Sequence, residues 1–123
     1  MPIRVLIVDD HASFRSLARR LLVGEGFDVI GEASDGRGAV RAASQLRPDV
    51  VLLDVQLSDS DGFGVAAALA EQPHPPAVVL VSSRSRADYG HRVDRSGTQG
   101  FIAKAELSGA VLRQLLGGGR TAS

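Results

Sequence analysis

The amino-acid sequence predicts an α/β domain built on a doubly wound sheet of five parallel strands, with helices on both faces. Three observations support this fold class. Two segments, Ile3 to Val8 and Asp49 to Leu57, are rich in branched apolar residues, which is typical of strands buried on both faces of a parallel sheet. Strand-like and helix-like segments alternate along the chain without an internal repeat. Finally, 123 residues suffice for one such domain but not for two.

The first predicted strand, Ile3 to Val8, leads into an amphipathic helix. Apolar residues recur at helical spacing after it, and Gly24 and Gly26 supply the stop signal. The next segment, Phe27 to Ala33, is shorter and more polar, as suits a strand at the edge of the sheet. The apolar stripe of the helix consists of Phe14, Leu17, Ala18, Leu21 and Leu22.

A second helix opens at Asp35 and Gly36 and ends before Pro48. The central strand, Asp49 to Leu57, follows directly, and a polar loop from Ser58 to Gly62 comes after it. The helical residues expected to face inward are Ala39, Val40, Ala43 and Leu46.

A third helix and a fourth strand continue the alternation. Three prolines between residues 73 and 76 terminate the helix, and Ala77 to Val81 is a buried strand that ends in Ser82 and Ser83. The apolar residues of the helix are Phe63, Ala66, Ala67, Leu69 and Ala70.

The last third of the chain carries weaker signals. Arg84 to Ser96 is polar, contains Gly90 and offers only Ala87, Tyr89 and Val93 as apolar anchors, so it is interpreted as a poorly anchored helix. Gly100 to Lys104 is a short fifth strand. Ser108 is a suitable N-cap for a last helix. We expect the domain to span residues 1–116, with 117–123 as a flexible tail or the start of a linker. The apolar side of the last helix is formed by Val111, Leu112, Leu115 and Leu116.

The amino-acid composition argues against several classes of function. The chain has 14 basic and 14 acidic residues, and this zero net charge gives no broad attraction to nucleic acid or to anionic membranes. It has no cysteine, which excludes disulfides and thiol chemistry. No apolar run approaches the roughly 20 residues of a membrane span, and the N-terminus enters a strand without a signal peptide. We therefore expect a soluble cytoplasmic domain that contacts neither nucleic acid nor membrane itself.

Reactive side chains follow four of the five predicted strands. Right-handed crossovers and five strands suit the flavodoxin-like order 2-1-3-4-5, which places the ends of strands one, three, four and five side by side. These ends carry Asp9 and Asp10, then Asp54, then Ser82, then Lys104. Alone, each has an ordinary structural explanation, such as a helix cap or a solvated side chain. Together they predict one cleft with three carboxylates, a hydroxyl and an ammonium.

This set of groups suits phosphoryl chemistry. Clustered carboxylates repel one another unless a divalent cation binds, and an all-oxygen site suits Mg²⁺. A carboxylate beside the metal can act as a nucleophile toward a phosphoryl group. Lys104 would stabilise the charge of the phosphoryl oxygens, and the Ser82 hydroxyl would donate a hydrogen bond to one of them.

The same residues resemble a known family. With Asp61 and Gly62 in the loop after the third strand, they match the receiver domain of bacterial two-component response regulators, over about Ile3 to Leu116. Two further stretches, Asp9 to Arg15 and Gly31 to Gly36, are similar to receivers that precede helix-turn-helix DNA-binding domains.

The resemblance implies an acceptor and a metal site. Asp54 would accept the phosphoryl group from a sensor histidine kinase. Asp10, Asp54 and the backbone carbonyl of Gln56 would ligate Mg²⁺ directly, and Asp9 would act mainly through a bound water. The domain would not be an enzyme beyond assisting its own phosphorylation and dephosphorylation.

The resemblance also implies a switch. Lys104 would pair with the phosphoryl group, Ser82 would move toward it, and Phe101 would swing inward behind Ser82. The face formed by residues 84–116 would then change and control an output, expected to be transcription regulation. A homodimer through this face is a further expectation.

The sequence departs from the family pattern at two prolines. Ser58 and Ala105 stand where the family commonly has proline, and the second of these prolines usually follows a cis peptide bond. A cis bond before alanine would cost about 3–4 kcal/mol. The sequence therefore does not decide whether the peptide bond between Lys104 and Ala105 is cis or trans.

Three alternatives remain. A receiver-like module that is not phosphorylated would serve dimerisation or interaction. A haloacid-dehalogenase-like phosphatase shares the Asp, Mg²⁺, Ser and Lys chemistry, but its D-x-D motif contrasts with the adjacent Asp9 and Asp10, and the chain is short for a cap. A flavodoxin would need a hydroxyl- and glycine-rich loop after the first strand, where this chain has two aspartates.

Overall fold

The computed structural model describes residues 2–117 and contains a five-stranded parallel sheet. The strand order is β2-β1-β3-β4-β5, which confirms the predicted doubly wound arrangement. The strands are β1 (Arg4–Val8), β2 (Asp28–Ala33), β3 (Val50–Asp54), β4 (Ala77–Ser82) and β5 (Gly100–Ala103). The helices are α1 (Ala12–Gly24), α2 (Gly36–Leu46), α3 (Gly62–Ala70), α4 (His91–Asp94) and α5 (Gly109–Gly117).

The core lies on both faces of the sheet. Every residue of β3 is buried, and so is every residue of β1 after Arg4, as expected for central strands. Alternate residues of these strands pack against α1 and α5 on one face and against α2 and α3 on the other. Among the described residues, no helix is both long and apolar enough to cross a bilayer.

Local sequence signals set several helix boundaries. The Asp35 carboxylate accepts a hydrogen bond from the Gly38 N–H at 2.7 Å, and Asp61 accepts one from the Phe63 N–H at 2.8 Å. Ser108 accepts from the Val111 N–H at 3.1 Å at the start of α5, as the sequence predicts. These caps satisfy N–H groups that have no partner within the helix.

Four local predictions were wrong. Leu17 was placed on the apolar stripe of α1, but it is 51% exposed because it lies at the margin of the buried face. The central strand ends at Asp54, since Gln56 turns back to form an antiparallel bridge with Asp61. Lys104 follows β5 and begins a 3₁₀ turn, Lys104–Glu106, instead of ending the strand.

The fourth difference is the segment interpreted as one helix between Arg84 and Ser96. It contains a 3₁₀ turn, Arg86–Asp88, and the four-residue α4, which are separated at Gly90 with a φ of 57°. This left-handed backbone favours glycine and interrupts the helix. The tail predicted for residues 117–123 lies outside the described residues except for Gly117, which ends α5.

Candidate functional site

The parallel strands bring four polar side chains to one edge of the sheet. Val8 of β1 pairs with Leu53 of β3, so that Asp9, the next residue, lies beside Asp54. Asp54 pairs in turn with Val81, and Ser82 pairs with Ala103, which precedes Lys104. Asp9, Asp54 and Ser82 are 0%, 3% and 1% exposed. Buried polar side chains at strand ends need partners, and these lie next to one another.

Lys104 is the cation of this site. Its Nζ lies 2.7 Å from Asp9 Oδ2 and 3.4 Å from Asp54 Oδ2, and 4.6 Å from the centre of the Phe14 ring. Burial favours the neutral amine, but the contact with Asp9 and the negative charges of Asp54 and Asp9 outweigh it, so the pKa of Lys104 is raised. The lysine is therefore held charged between the two carboxylates.

Asp54 has an unusual carboxylate. Burial, with a contribution from the negative charge of Asp9, raises its pKa from 3.8 to about 6, against the opposing effects of the Gln56 N–H and Lys104. The Gln56 N–H donates to Asp54 Oδ1 at 3.1 Å. Near neutral pH the carboxylate is still mainly ionised, and it carries a charge that the interior solvates poorly. Such a group is suited to react as a nucleophile.

Asp9 and Asp10 do not cap α1, although their position made that the ordinary explanation. The N-cap of α1 is His11, and no side chain caps this end of the helix. Asp9 Oδ1 instead accepts the His11 N–H at 2.8 Å, while Arg15 Nη1 donates to the Asp9 carbonyl oxygen at 2.6 Å. Asp9 is thus held in place by residues that follow it in the sequence.

His11 is a site residue that sequence reasoning missed. Its Nδ1 lies 3.0 Å from Asp10 Oδ1 and 3.2 Å from Asp9 Oδ1. One ligand atom each from Asp9, Asp10, His11 and Asp54 lies within 4.8 Å of the others. The sequence signal was its place directly after two aspartates, but the direction of an exposed side chain at a helix start cannot be read from spacing.

The carboxylate cluster fits a hard divalent cation. Asp9 Oδ2 and Asp10 Oδ1 are both buried and accept no hydrogen bond from the described residues, although Lys104 and His11 approach them at 2.7 and 3.0 Å. Carboxylate oxygens that lie within 4.8 Å of one another and of the Asp54 carboxylate are the donor set that Mg²⁺ prefers. The carbonyl of Gln56 as a further ligand stays a prediction.

Ser82 is turned toward a different set of residues. Its Oγ lies 2.7 Å from the Tyr89 hydroxyl and accepts the Arg84 N–H at 3.0 Å. Tyr89 in turn packs against Phe101 and against Phe63, each with ring centres 5.9 Å apart. Sequence reasoning treated Tyr89 as a plain apolar anchor. Its hydroxyl reaches Ser82 because the chain turns back after β4, which periodicity does not reveal.

Gly62 lets α3 start directly against Asp54. A Cβ built on Gly62 would lie 2.4 Å from the Asp54 carbonyl oxygen and 2.7 Å from the Val55 Cα. The Gly62 N–H donates to the Val55 carbonyl at 2.7 Å, which fixes the loop below the site. After Lys104 the question raised by Ala105 is resolved, since every peptide bond among the described residues is trans.

Comparison with known proteins identifies the fold and the family. Residues 5–116 match the model of the response regulator receiver domain. The chain is 36% identical over 104 residues to the transcriptional regulatory protein PdtaR of Mycobacterium tuberculosis, covering 85% of this chain and 50% of that protein. It is 47% identical over 83 residues to protein-glutamate methylesterase/protein-glutamine glutaminase 5 of Myxococcus xanthus, covering 67% of this chain and 24% of that protein.

Solved structures give the same result. The signal receiver domain of the response regulator NarL from Mycobacterium tuberculosis superposes with a TM-score of 0.81 at 34% identity, covering 94% of this chain and 98% of that one. A CheX-CheY-BeF3-Mg complex from Borrelia burgdorferi contains a chain with a TM-score of 0.82 at 27% identity, covering 96% and 89%.

The chain corresponds to only part of each curated relative. The chain spans about half the length of PdtaR and about a quarter of the methylesterase, so those proteins carry more than the part that this chain matches. The phosphatase and flavodoxin alternatives have no support in the family match, which extends from β1 to α5. The chain belongs to the response regulator receiver domain family, within two-component signalling.

Proposed function

We propose that this chain is a phospho-accepting receiver domain, in which Asp54 takes a phosphoryl group from a sensor histidine kinase. The observation that carries the proposal is the Asp54 carboxylate itself, which is 3% exposed, lies beside Asp9 and is paired with Lys104 at 3.4 Å. The site offers clustered carboxylates that could hold a metal ion, and the chain has no cysteine that could serve as a nucleophile instead. Few reactions other than phosphoryl transfer suit such a set of groups.

The proposed reaction is a phosphoryl transfer between two side chains. An Asp54 oxygen forms a bond to phosphorus while the bond from phosphorus to the kinase imidazole nitrogen breaks, and the nitrogen keeps the electron pair. The product is an acyl phosphate. Lys104 contacts the Asp9 and Asp54 carboxylates in the unphosphorylated protein. After transfer, when the local negative charge has increased, it would pair with a phosphoryl oxygen.

Mg²⁺ would be held by Asp9, Asp10 and Asp54, with the Gln56 carbonyl as the predicted further ligand. When bound, it supplies a positive charge that stabilises phosphoryl oxygens and offsets carboxylate repulsion. The CheX-CheY complex from Borrelia burgdorferi contains Mg and BeF3, which supports the same requirement here. Asp10 and His11 are the more exposed members of the cluster and leave a side open to a donor.

The output is proposed from the relatives and from the fold. A cytoplasmic domain that controls transcription is consistent with PdtaR, which is described as a transcriptional regulatory protein. The CheY complex with CheX illustrates that receivers also bind protein partners. We assign the response to the face formed by residues 84–116, which contacts the site through Lys104 and through the hydrogen bond between Ser82 and Tyr89, with Phe101 packed against Tyr89. A homodimer is one candidate use of that face.

Acetyl phosphate tests the proposal directly. With Mg²⁺ present, the protein should gain the mass of one phosphoryl group, and the product should be cleaved by hydroxylamine because it is an acyl phosphate. Asp54→Asn should abolish the gain. Asp28→Asn is a matched control, since Asp28 is an exposed carboxylate at the start of β2, at the opposite edge of the sheet.

A wild-type protein that gains no mass would instead support the alternative, a receiver-like interaction module that is not phosphorylated. A modification that survives hydroxylamine, or one that persists in Asp54→Asn, would place the chemistry at another residue and contradict the proposal.

A further inference from the structure

The Ser82 hydroxyl is engaged away from the acceptor carboxylate. Ser82 is 1% exposed, and its oxygen bonds with the Tyr89 hydroxyl at 2.7 Å and with the Arg84 N–H at 3.0 Å. Among the residues that the structure describes, no hydrogen bond joins Ser82 to Asp54. A serine hydroxyl has one proton and two lone pairs, and Arg84 occupies one lone pair. In either donor direction, the bond with Tyr89 fixes where the oxygen points.

The Tyr89 ring lies between two other aromatic rings and beside a surface pocket. Its ring packs at 5.9 Å against Phe63 on one side and at 5.9 Å against Phe101 on the other. It also borders an open surface pocket of about 380 Å³, shared with Gln56 and Arg92. The next residue, Gly90, has a φ of 57° and separates two short helical turns.

The position of this hydroxyl has a consequence for phosphoryl capture. If Ser82 turns toward a phosphoryl oxygen on Asp54 in order to donate to it, its oxygen leaves the place where Tyr89 holds it. The bond between Ser82 and Tyr89 then breaks or is remade elsewhere. A buried hydroxyl gives up a partner only in exchange for another, and the phosphoryl group supplies a charged one.

We infer that Tyr89 is a positioning residue that holds Ser82 in its outward orientation, so that its hydrogen bond opposes capture of the phosphoryl group. The inference rests on the proposed function of Asp54 and assigns to the Tyr89 hydroxyl a role in addition to that expected for Phe101. Release of this bond would free Tyr89 between Phe63 and Phe101, and so transmit the state of Asp54 to residues 84–96.

Tyr89→Phe is a sharp test because it removes the hydroxyl and keeps the ring. Beryllofluoride with Mg²⁺ serves as the probe for the phosphoryl state. Losing a competing hydrogen bond should tighten beryllofluoride binding roughly two- to tenfold. The effect should depend on Ser82, so Tyr89→Phe should change nothing in a Ser82→Ala background. Phe63→Leu, which removes the ring contacts of Phe63 with Tyr89 and Arg92 but leaves the Tyr89 hydroxyl in place, should not show this dependence on Ser82.

Tyr89 also supplies its own spectroscopic signal. It is the one tyrosine of the 123-residue chain, which has no tryptophan, so tyrosine emission reports on this side chain alone. Beryllofluoride should change the emission of the wild type. Ser82→Ala without the probe should already differ from the wild type, and the probe should change it little.

The outcomes distinguish a failure of the proposed function from a failure of the inference about Tyr89. Wild type that does not bind beryllofluoride would overturn the proposed function of the site and this inference with it. Wild type that binds, together with a Tyr89→Phe variant whose affinity is unchanged or weaker, would overturn only the inference about Tyr89. An equal effect of Tyr89→Phe in the wild type and in the Ser82→Ala background would also overturn it, since the ring would then act through packing.

Discussion

The strands that carry the carboxylates and the segment that follows β4 are built in different ways. β1 and β3 are buried almost throughout and are flanked by α1 and α2, which have 13 and 11 residues. Residues 84–106 contain a four-residue α4, two 3₁₀ turns, and a β5 in which Ile102 alone is fully buried. The chemistry is therefore fixed on a rigid frame, while the segment beside it is anchored by few contacts.

The difference suggests a division of labour. A nucleophile and its metal ligands need fixed distances, and deep strands supply them. A segment that reports the state of the nucleophile needs two arrangements of similar free energy, which few buried side chains permit. Lys104 and the Ser82–Tyr89 hydrogen bond join the two regions.

The largest expected contrast comes from truncating one buried aliphatic side chain in each of the two regions. Leu52→Ala in β3 removes a side chain with 0% exposure from the core and should lower the free energy of unfolding by about 3–5 kcal/mol. Val93→Ala in α4 should lower it by about 1–2 kcal/mol. Urea unfolding measures both. Equal losses would mean that the segment after β4 is as firmly anchored as the central sheet.

A pair of glycines in α3 tests how tightly the frame fits around Asp54. Gly62→Ala should destabilise by about 1–3 kcal/mol, because its Cβ would lie 2.4 Å from the Asp54 carbonyl oxygen. Gly64→Ala in the same helix meets nothing within 4 Å and should stabilise by roughly 1 kcal/mol. Thermal unfolding measures the loss of stability in Gly62→Ala and the gain in Gly64→Ala. A Gly62→Ala variant as stable as the wild type would show that the loop beside Asp54 can move to accommodate a Cβ.

A third prediction concerns the cost of the Asp54 charge. The pKa in the folded protein is about 6, above the usual 3.8, so the folded state binds the proton more tightly. The ionised group therefore destabilises the fold above about pH 6, and this penalty fades as the pH falls toward 4. Asp54→Asn should stabilise by about 1–3 kcal/mol near pH 7.

The gain from Asp54→Asn should shrink steadily when the unfolding experiment is repeated at lower pH. Asp28→Asn, at an exposed position, should change stability by less than about 0.5 kcal/mol at any pH. If Asp54→Asn were destabilising at neutral pH, its pairing with Lys104 would outweigh the burial of the charge.

The two regions also differ in how well the sequence predicted them. Runs such as Val50 to Leu53 have one reasonable structure, a buried strand, and topology then brings Asp9 and Asp54 together. Strand ends are set by local hydrogen bonds, and the turn made by Gln56 ended β3 three residues before the predicted Leu57. Leu17 shows the limit of periodicity, since a residue of the correct spacing lies just outside the buried face.

Side-chain direction was harder to foresee than position. Tyr89 and His11 reach the site because the chain turns back after β4 and α1 begins directly after His11, and neither residue type is specific enough to predict this. The segment around Gly90 has weak helical signals, and its path is decided by packing of Tyr89 between Phe63 and Phe101. Tertiary contacts thus overrode local propensity where local propensity was weakest.

Hydrogen exchange with and without beryllofluoride and Mg²⁺ tests the central claim most directly, that the site is rigid and the segment after β4 responds. Amides of β1 and β3 should exchange slowly in both states. Protection should change across residues 84–116, beginning at Tyr89 and Lys104, because Ser82 gives up its bond with Tyr89. Changes confined to the loop between Val55 and Gly62, with none across 84–116, would contradict the account.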